Sequence, residues 1–121
     1  MKNDLKIRSK KFAHDCVKVA LQLPKTELGN HIKYQLIRCA TSTAANYRAA
    51  SLGQTKKSFV AKLSIVVEEC DESLFWIEFL AEENLLQLHI FEKVLNEAKE
   101  LTAIFIASRI TAEKNLKRGE R

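Results

Sequence analysis

The sequence predicts an all-α protein, an antiparallel up-down-up-down four-helix bundle. Three observations lead there: apolar residues recur at helical spacing through four long stretches, no stretch alternates as a strand does, and the breaks between stretches are short. Long helices joined by tight turns must each run against the next. The 121 residues form one domain, 1–121, long enough to bury roughly two thirds of the surface its unfolded chain exposes.

Helix one is expected over 5–23, with Leu5, Phe12, Cys16, Val19 and Leu23 on one face and Pro24 stopping it. Val17 and Leu21 lie off that face among Lys6, Lys10 and Lys18, so this helix is also apolar on part of its outer side. Helix two is expected over 27–50, capped by Thr26 or Asn30, with Gly29 weakening its first turn. Its core stripe is Leu28, Ile32, Leu36, Cys39, Thr43, Tyr47 and Ala50. A polar line of Gln35, Ser42 and Asn46 borders that stripe and is expected to form a buried hydrogen-bonded network. Its far side sets small residues, Thr41, Ala45 and Ala49, between Arg38 and Arg48, where a protein or nucleic-acid backbone could approach closely.

Gly53 marks the next break, with Thr55 or Ser58 available to cap helix three over 56–83. The rest of the chain is organised around this helix, which is apolar on two sides. Phe59, Leu63, Val66, Val67, Cys70, Leu74, Ile77 and Ala81 form a stripe about 100° wide that faces the core. Phe75 and Phe79 fall nearly opposite, with Trp76 and Ile65 beside them, which points to a second covered surface. Asn84 is a plausible left-handed terminator. Helix four follows over 86–115 on Leu88, Phe91, Leu95, Ala98, Thr102, Phe105 and Ala112, ahead of a basic, disordered tip at 116–121.

Charge is unevenly spread. Residues 1–62 carry thirteen Lys and Arg against three acids, residues 63–100 two against ten, and residues 101–121 five against two. Such segregation bears on association rather than fold, and a basic helix pair beside an acidic pair accounts for it as well as a nucleic-acid surface does. The phosphate-contacting candidates are Lys10, Lys11, Lys18, Arg38, Arg48, Lys56 and Lys57. No aromatic platform is interleaved with them, so any contact should lack sequence preference.

Catalysis and metal binding find little support. Glu68, Glu69, Asp71 and Glu72 invite a di-metal reading, but bundle sites of that kind need Glu-x-x-His on two helices, and no Glu-x-x-His occurs. Arg8 and His14 have a spacing seen in some helical ribonucleases and common by chance in a basic helix. No Ser or Cys nucleophile is sequence-paired with His14, His31 or His89. Cys16, Cys39 and Cys70 lie on core stripes without a CxxC spacing, as reduced buried thiols do. We therefore expect no catalytic residues, no cofactor, no metal and no small-molecule substrate. Without a membrane span or signal core, a soluble cytoplasmic protein is expected.

The run Gln35-Leu36-Ile37-Arg38-Cys39-Ala40-Thr41-Ser42-Thr43-Ala44-Ala45-Asn46-Tyr47, followed by Phe59 and by Glu69-Cys70-Asp71-Glu72-Ser73-Leu74-Phe75-Trp76, resembles the bacterial "four helix bundle protein" family. Its members include proteins encoded in intervening sequences of 23S rRNA genes, and accessory subunits of diversity-generating retroelements are similar in fold. Where many members continue after the Asn with Ile-Ala-Glu-Gly, this chain reads Tyr47-Arg48-Ala49-Ala50. The resemblance implies a ring-shaped homopentamer and, by analogy with the retroelement subunits, contact with RNA and a nucleic-acid-handling protein through basic surfaces. It implies no catalytic residue.

A head-to-tail ring also follows from the two outer edges. Helices one and three occupy diagonal corners of an up-down bundle, and the apolar excess lies on those two, at Val17 and Leu21 and at Ile65, Phe75, Trp76 and Phe79. The sequence thus leads to an oligomeric scaffold contacting RNA or a nucleic-acid-handling partner, with a purely structural or protein-interaction oligomer as the alternative.

Overall fold

Two threonines set where the second and third helices begin. Thr26 is extended, and its hydroxyl accepts the amide of Gly29 at 3.0 Å. Thr55 accepts the amide of Ser58 at 3.0 Å, while Ser58 Oγ reaches back to the Thr55 amide in a reciprocal cap. The computed structural model describes residues 2–53 and 55–119, which form α1 (Lys2–Ala20), α2 (Glu27–Ser51), α3 (Lys56–Glu82) and α4 (Leu88–Lys117). No strand occurs among the described residues.

The helices pack in ring order. α1 lies on α2, α2 on α3 and α3 on α4, and α4 closes on α1 along a looser seam. This is the expected four-helix bundle, with α1 diagonal to α3 and α2 to α4. Its centre holds Phe12, Cys16, Ile32, Leu36, Cys39, Leu63, Val66, Cys70, Ile77, Leu80, Leu101 and Phe105. Tyr47 meets Phe105 across the diagonal, ring centroids 5.3 Å apart. Ser9, Thr43, Ser73 and Thr102 are buried, and each donates its hydroxyl to a carbonyl three or four residues back, so the core carries hydroxyls without stranding them.

Several sequence expectations shift at the helix ends. α1 stops at Ala20; residues 21–23 tighten through bonds such as Leu23 N to Ala20 O, which still leaves Leu23 buried. Leu28 and Leu88, expected in the core, are exposed because each sits in the first turn of its helix, at the margin of the bundle. Leu80, Val94 and Leu101 fill core positions that the expected stripes left out. Gly29 does not merely weaken a helix start. A Cβ there would lie 2.0 Å from the Pro24 carbonyl oxygen, so glycine lets the α1–α2 turn fold tightly onto α2. Asn84 ends α3 with φ 55°; its amide bonds to Ala81 O and that of Leu85 to Leu80 O, a left-handed stop with Leu80 and Leu85 on the apolar side. Gly53 has no such backbone. There glycine provides space, since a Cβ would sit 3.0 Å from Ala50 O and from Ser58 Oγ. At the far end, helix continues through Leu116 and Lys117, where a disordered tip was expected; residues 120–121 of that tip lie outside the described residues.

Candidate functional site

Arg38 projects from the middle of α2 toward α3. Its guanidinium contacts Glu69 at 3.3 Å and donates to Glu72, and it also donates to Gln35 at 3.2 and 3.3 Å. Partial desolvation opposes its charge, but Glu72 and Glu69 outweigh that cost and raise its pKa further. Glu72 also accepts from the Trp76 indole at 3.2 Å, and Trp76 meets His31 of α2 edge-on at 5.4 Å. A string of polar contacts therefore runs along the α2–α3 cleft, and it occupies the arginine expected to face phosphate.

The other expected basic residues divide. Lys11 bonds to Asp15 at 3.1 Å, which raises the Lys11 pKa. Asp15, whose burial works the other way, is held below its usual pKa by Lys11 and Lys93. Lys18 stands in the last turn of α1, at the opposite end of the bundle from Arg48, Lys56 and Lys57. The fold groups the last three with residues the sequence reading did not choose. Divided at the level of the Arg8–Glu97 and Thr102–Cys70 contacts, the end holding residues 4–8, 41–53, 55–69 and 102–119 has ten Lys and Arg against four acids. The other end, 10–39 and 71–100, has eight against ten, so the bundle is electrically lopsided along its length. Lys62, Arg109, Lys114, Lys117 and Arg118 belong to the basic end. Lys117 and Arg118 fall in the tip expected to be disordered, whereas Lys114 falls within the expected helix four, where its charge alone did not mark an end of the bundle.

Of the apolar outer edge, Phe75 is 50% exposed and Leu21 66%, with Ile65 also open and Val17 partly covered. Trp76 and Phe79 are half-buried and lean on the core, which corrects the expectation that Phe79 stands opposite it. The three rings interlock, with Phe75 at 4.9 Å from Trp76 and 5.8 Å from Phe79. The patch therefore straddles the α2–α3 cleft, with His31 at its border, rather than lying on the outer side of α3 alone.

Residues 1–107 match the family described as 23S rRNA-intervening sequence protein. The chain belongs to that family. A solved structure from Bacteroides thetaiotaomicron, described as a protein of unknown function from the S23 ribosomal protein family, is similar over 90% of this chain and 98% of its own, with 28% identity and a TM-score of 0.80. No curated protein matches the chain.

In this member of the 23S rRNA-intervening sequence family, the spaced polar residues do not form the buried network that was expected. Gln35 serves the Arg38 cluster, and Asn46 donates to Ser42 at 2.9 and 3.0 Å within α2. Gln35 and Ser42 are two turns apart, about 10 Å, so two separate pairs result, Gln35 with Arg38 exposed and Asn46 with Ser42 half-buried. Arg8 donates to Glu97 at 2.7 and 2.8 Å and meets Glu100 at 2.8 Å, while His14 is exposed on another part of α1. Among the described residues no group of three or more His, Cys, Asp or Glu is placed to hold a metal ion. All three thiols are free and buried, and burial pushes Cys39 and Cys70 up to about 11. None of the helices among the described residues is long and apolar enough to cross a membrane.

Proposed function

We propose that this protein is a non-catalytic, ring-forming scaffold that contacts RNA, or a protein that handles RNA, through its basic end. The observation that carries this reading is the electrical asymmetry: the start of α1, the α2–α3 turn with its flanking helix halves and the end of α4 converge to give ten cations against four acids at one end. Phosphate contacts release counterions and need no base-reading groove, so a lysine-rich helix end is sufficient chemistry. The family name, which refers to an interruption of ribosomal RNA genes, fits a chain that works beside RNA.

Assembly rests on the Phe75, Ile65 and Leu21 side chains left open on α1 and α3. Two different apolar patches on diagonal helices favour head-to-tail contact, which closes into a ring when the rotation permits. Five copies is the number the family resemblance implies. A ring sets every basic end on the same rim and multiplies a weak single-site attraction. Cytoplasmic residence is part of the same reading.

The test is fluorescence anisotropy with a generic single-stranded RNA at rising salt. Binding at low salt that falls steeply with added salt, and that drops on Lys57→Glu with Lys114→Glu, supports phosphate contact. No binding at low salt, or affinity indifferent to salt, overturns it. The second reading, an oligomer without RNA contact, is favoured by Arg38 and Lys11, whose charges are already matched within the chain.

A further inference from the structure

At the basic end six exposed cations stand free. Arg48 of α2, Lys57 and Lys62 of α3, Lys114 and Lys117 of α4 and Arg118 just after it have no ion pair or side-chain hydrogen bond among the described residues. Two of the four acids there are already engaged, Glu69 with Arg38 and Glu113 with Arg109. The aromatic rings divide the other way. All nine lie within the described residues, and the three at this end are closed: Tyr47 is 2% exposed, Phe105 is buried, and Phe59 packs against the core. Phe75 and Tyr34, whose rings are open to solvent, both belong to the other end. Free positive charge and open ring surface therefore lie on different parts of the bundle.

We propose that the basic end takes double-stranded RNA in preference to single strands, holding it by the phosphates of both chains; this rests on the reading that the end contacts RNA. A single strand has bases to stack, and proteins that bind one combine a basic groove with ring faces that receive those bases. Here the charge comes without the rings. A duplex keeps its bases stacked on one another and turns its phosphates outward, so cations alone are sufficient. The layout of the cations agrees. α2 and α4 are diagonal, so Arg48 and the α4 lysines stand on helices whose axes are roughly 11–14 Å apart when neighbours are spaced about 8–10 Å. A single strand would have to cross the end to meet both sets, whereas a duplex offers two phosphate strands side by side. Guanidinium planes can also receive a base, but Arg109 lies 3.9 Å from Glu113, and Arg48 and Arg118 sit at the ends of diagonal helices.

The test is fluorescence anisotropy on the full chain at low salt with two labelled probes of equal phosphate number, an RNA duplex of about 20 base pairs and an oligouridylate of about 40 nucleotides. We expect the duplex to bind at least about tenfold more tightly. Lys62→Glu with Lys117→Glu should weaken duplex binding about tenfold, while Lys25→Glu, in the α1–α2 turn at the opposite end, should change it less than about twofold. Leu52→Trp, at a 70% exposed position of the α2–α3 turn, supplies the missing ring and should raise oligouridylate affinity about fivefold. Oligouridylate binding as tightly as the duplex overturns the proposal and leaves RNA contact by the scaffold standing; binding of neither probe overturns both. With circular dichroism unchanged, a Leu52→Trp protein that gains nothing for oligouridylate, or a loss in Lys25→Glu equal to that of the double variant, also overturns the proposal.

Discussion

Arg8 of α1 grips Glu97 of α4 through two hydrogen bonds of 2.7 and 2.8 Å, one from Nε and one from a terminal guanidinium nitrogen. The pair spans the loosest seam of the bundle, where the two helix backbones approach less closely than those of the other neighbouring helices. A bidentate, partly buried arginine pair is stronger than an exposed one. Arg8→Ala should lower stability by about 1 kcal/mol, read as a fall in urea midpoint with unchanged slope. A double-mutant cycle with Glu97→Ala should return a favourable coupling energy; additive effects would show that the seam is held by packing alone.

Gly29→Ala tests the α1–α2 turn. Because the new Cβ would meet the Pro24 carbonyl at 2.0 Å, the backbone must move and the Thr26 cap with it. A loss of about 1–3 kcal/mol is expected in chemical denaturation, against the slight gain that alanine ordinarily gives in a helix. A variant as stable as the parent would mean that the turn relaxes freely.

The buried thiols predict a response to alkali. Burial pushes the folded-state values of Cys39 and Cys70 up to about 11, above those of thiols in an unfolded chain. Their contribution to stability is therefore complete below about pH 8.5 and declines as the pH rises toward 11. The urea midpoint of the parent should fall more between pH 8 and pH 10.5 than that of a Cys39→Ala, Cys70→Ala variant. In native protein at pH 8 a thiol reagent should label these cysteines only as fast as the bundle opens.

Phe75 is the aromatic of the outer patch with the least cover from its own chain. Burying such a ring between copies is worth about 2 kcal/mol, so Phe75→Asp should dissociate an assembly while circular dichroism stays helical. Light scattering is the measurement: a monomeric parent, or an intact oligomer in the variant, removes the basis for a ring. Phe79→Asp, by contrast, should also reduce thermal stability, because Phe79 leans on the core.

The helices and their order were legible because period and punctuation agree: Pro24, Thr26, Thr55 and Asn84 stand where the breaks fall. The positions of the functional groups were less so. Arg38 looks like an outward cation on its own helix, and only the packing of α2 on α3 brings Glu69 and Glu72 to it. Trp76 and Phe79 were misjudged for a similar reason, since a helical wheel has one core direction whereas a bundle helix touches two neighbours and hides its flanks against both. The basic end was invisible as a unit, because Lys57 and Lys114 are 57 positions apart and meet through the antiparallel register alone.

The lopsided charge makes the molecule a rod with unlike poles. In the proposed ring, copies standing side by side in the same direction would bring like poles together, so dissolved ions would relieve their mutual repulsion and tighten the array. The same ions loosen a polyanion's hold on the positive pole. One asymmetry thus predicts opposite salt responses for self-association and for RNA capture, and both can be followed in a single titration.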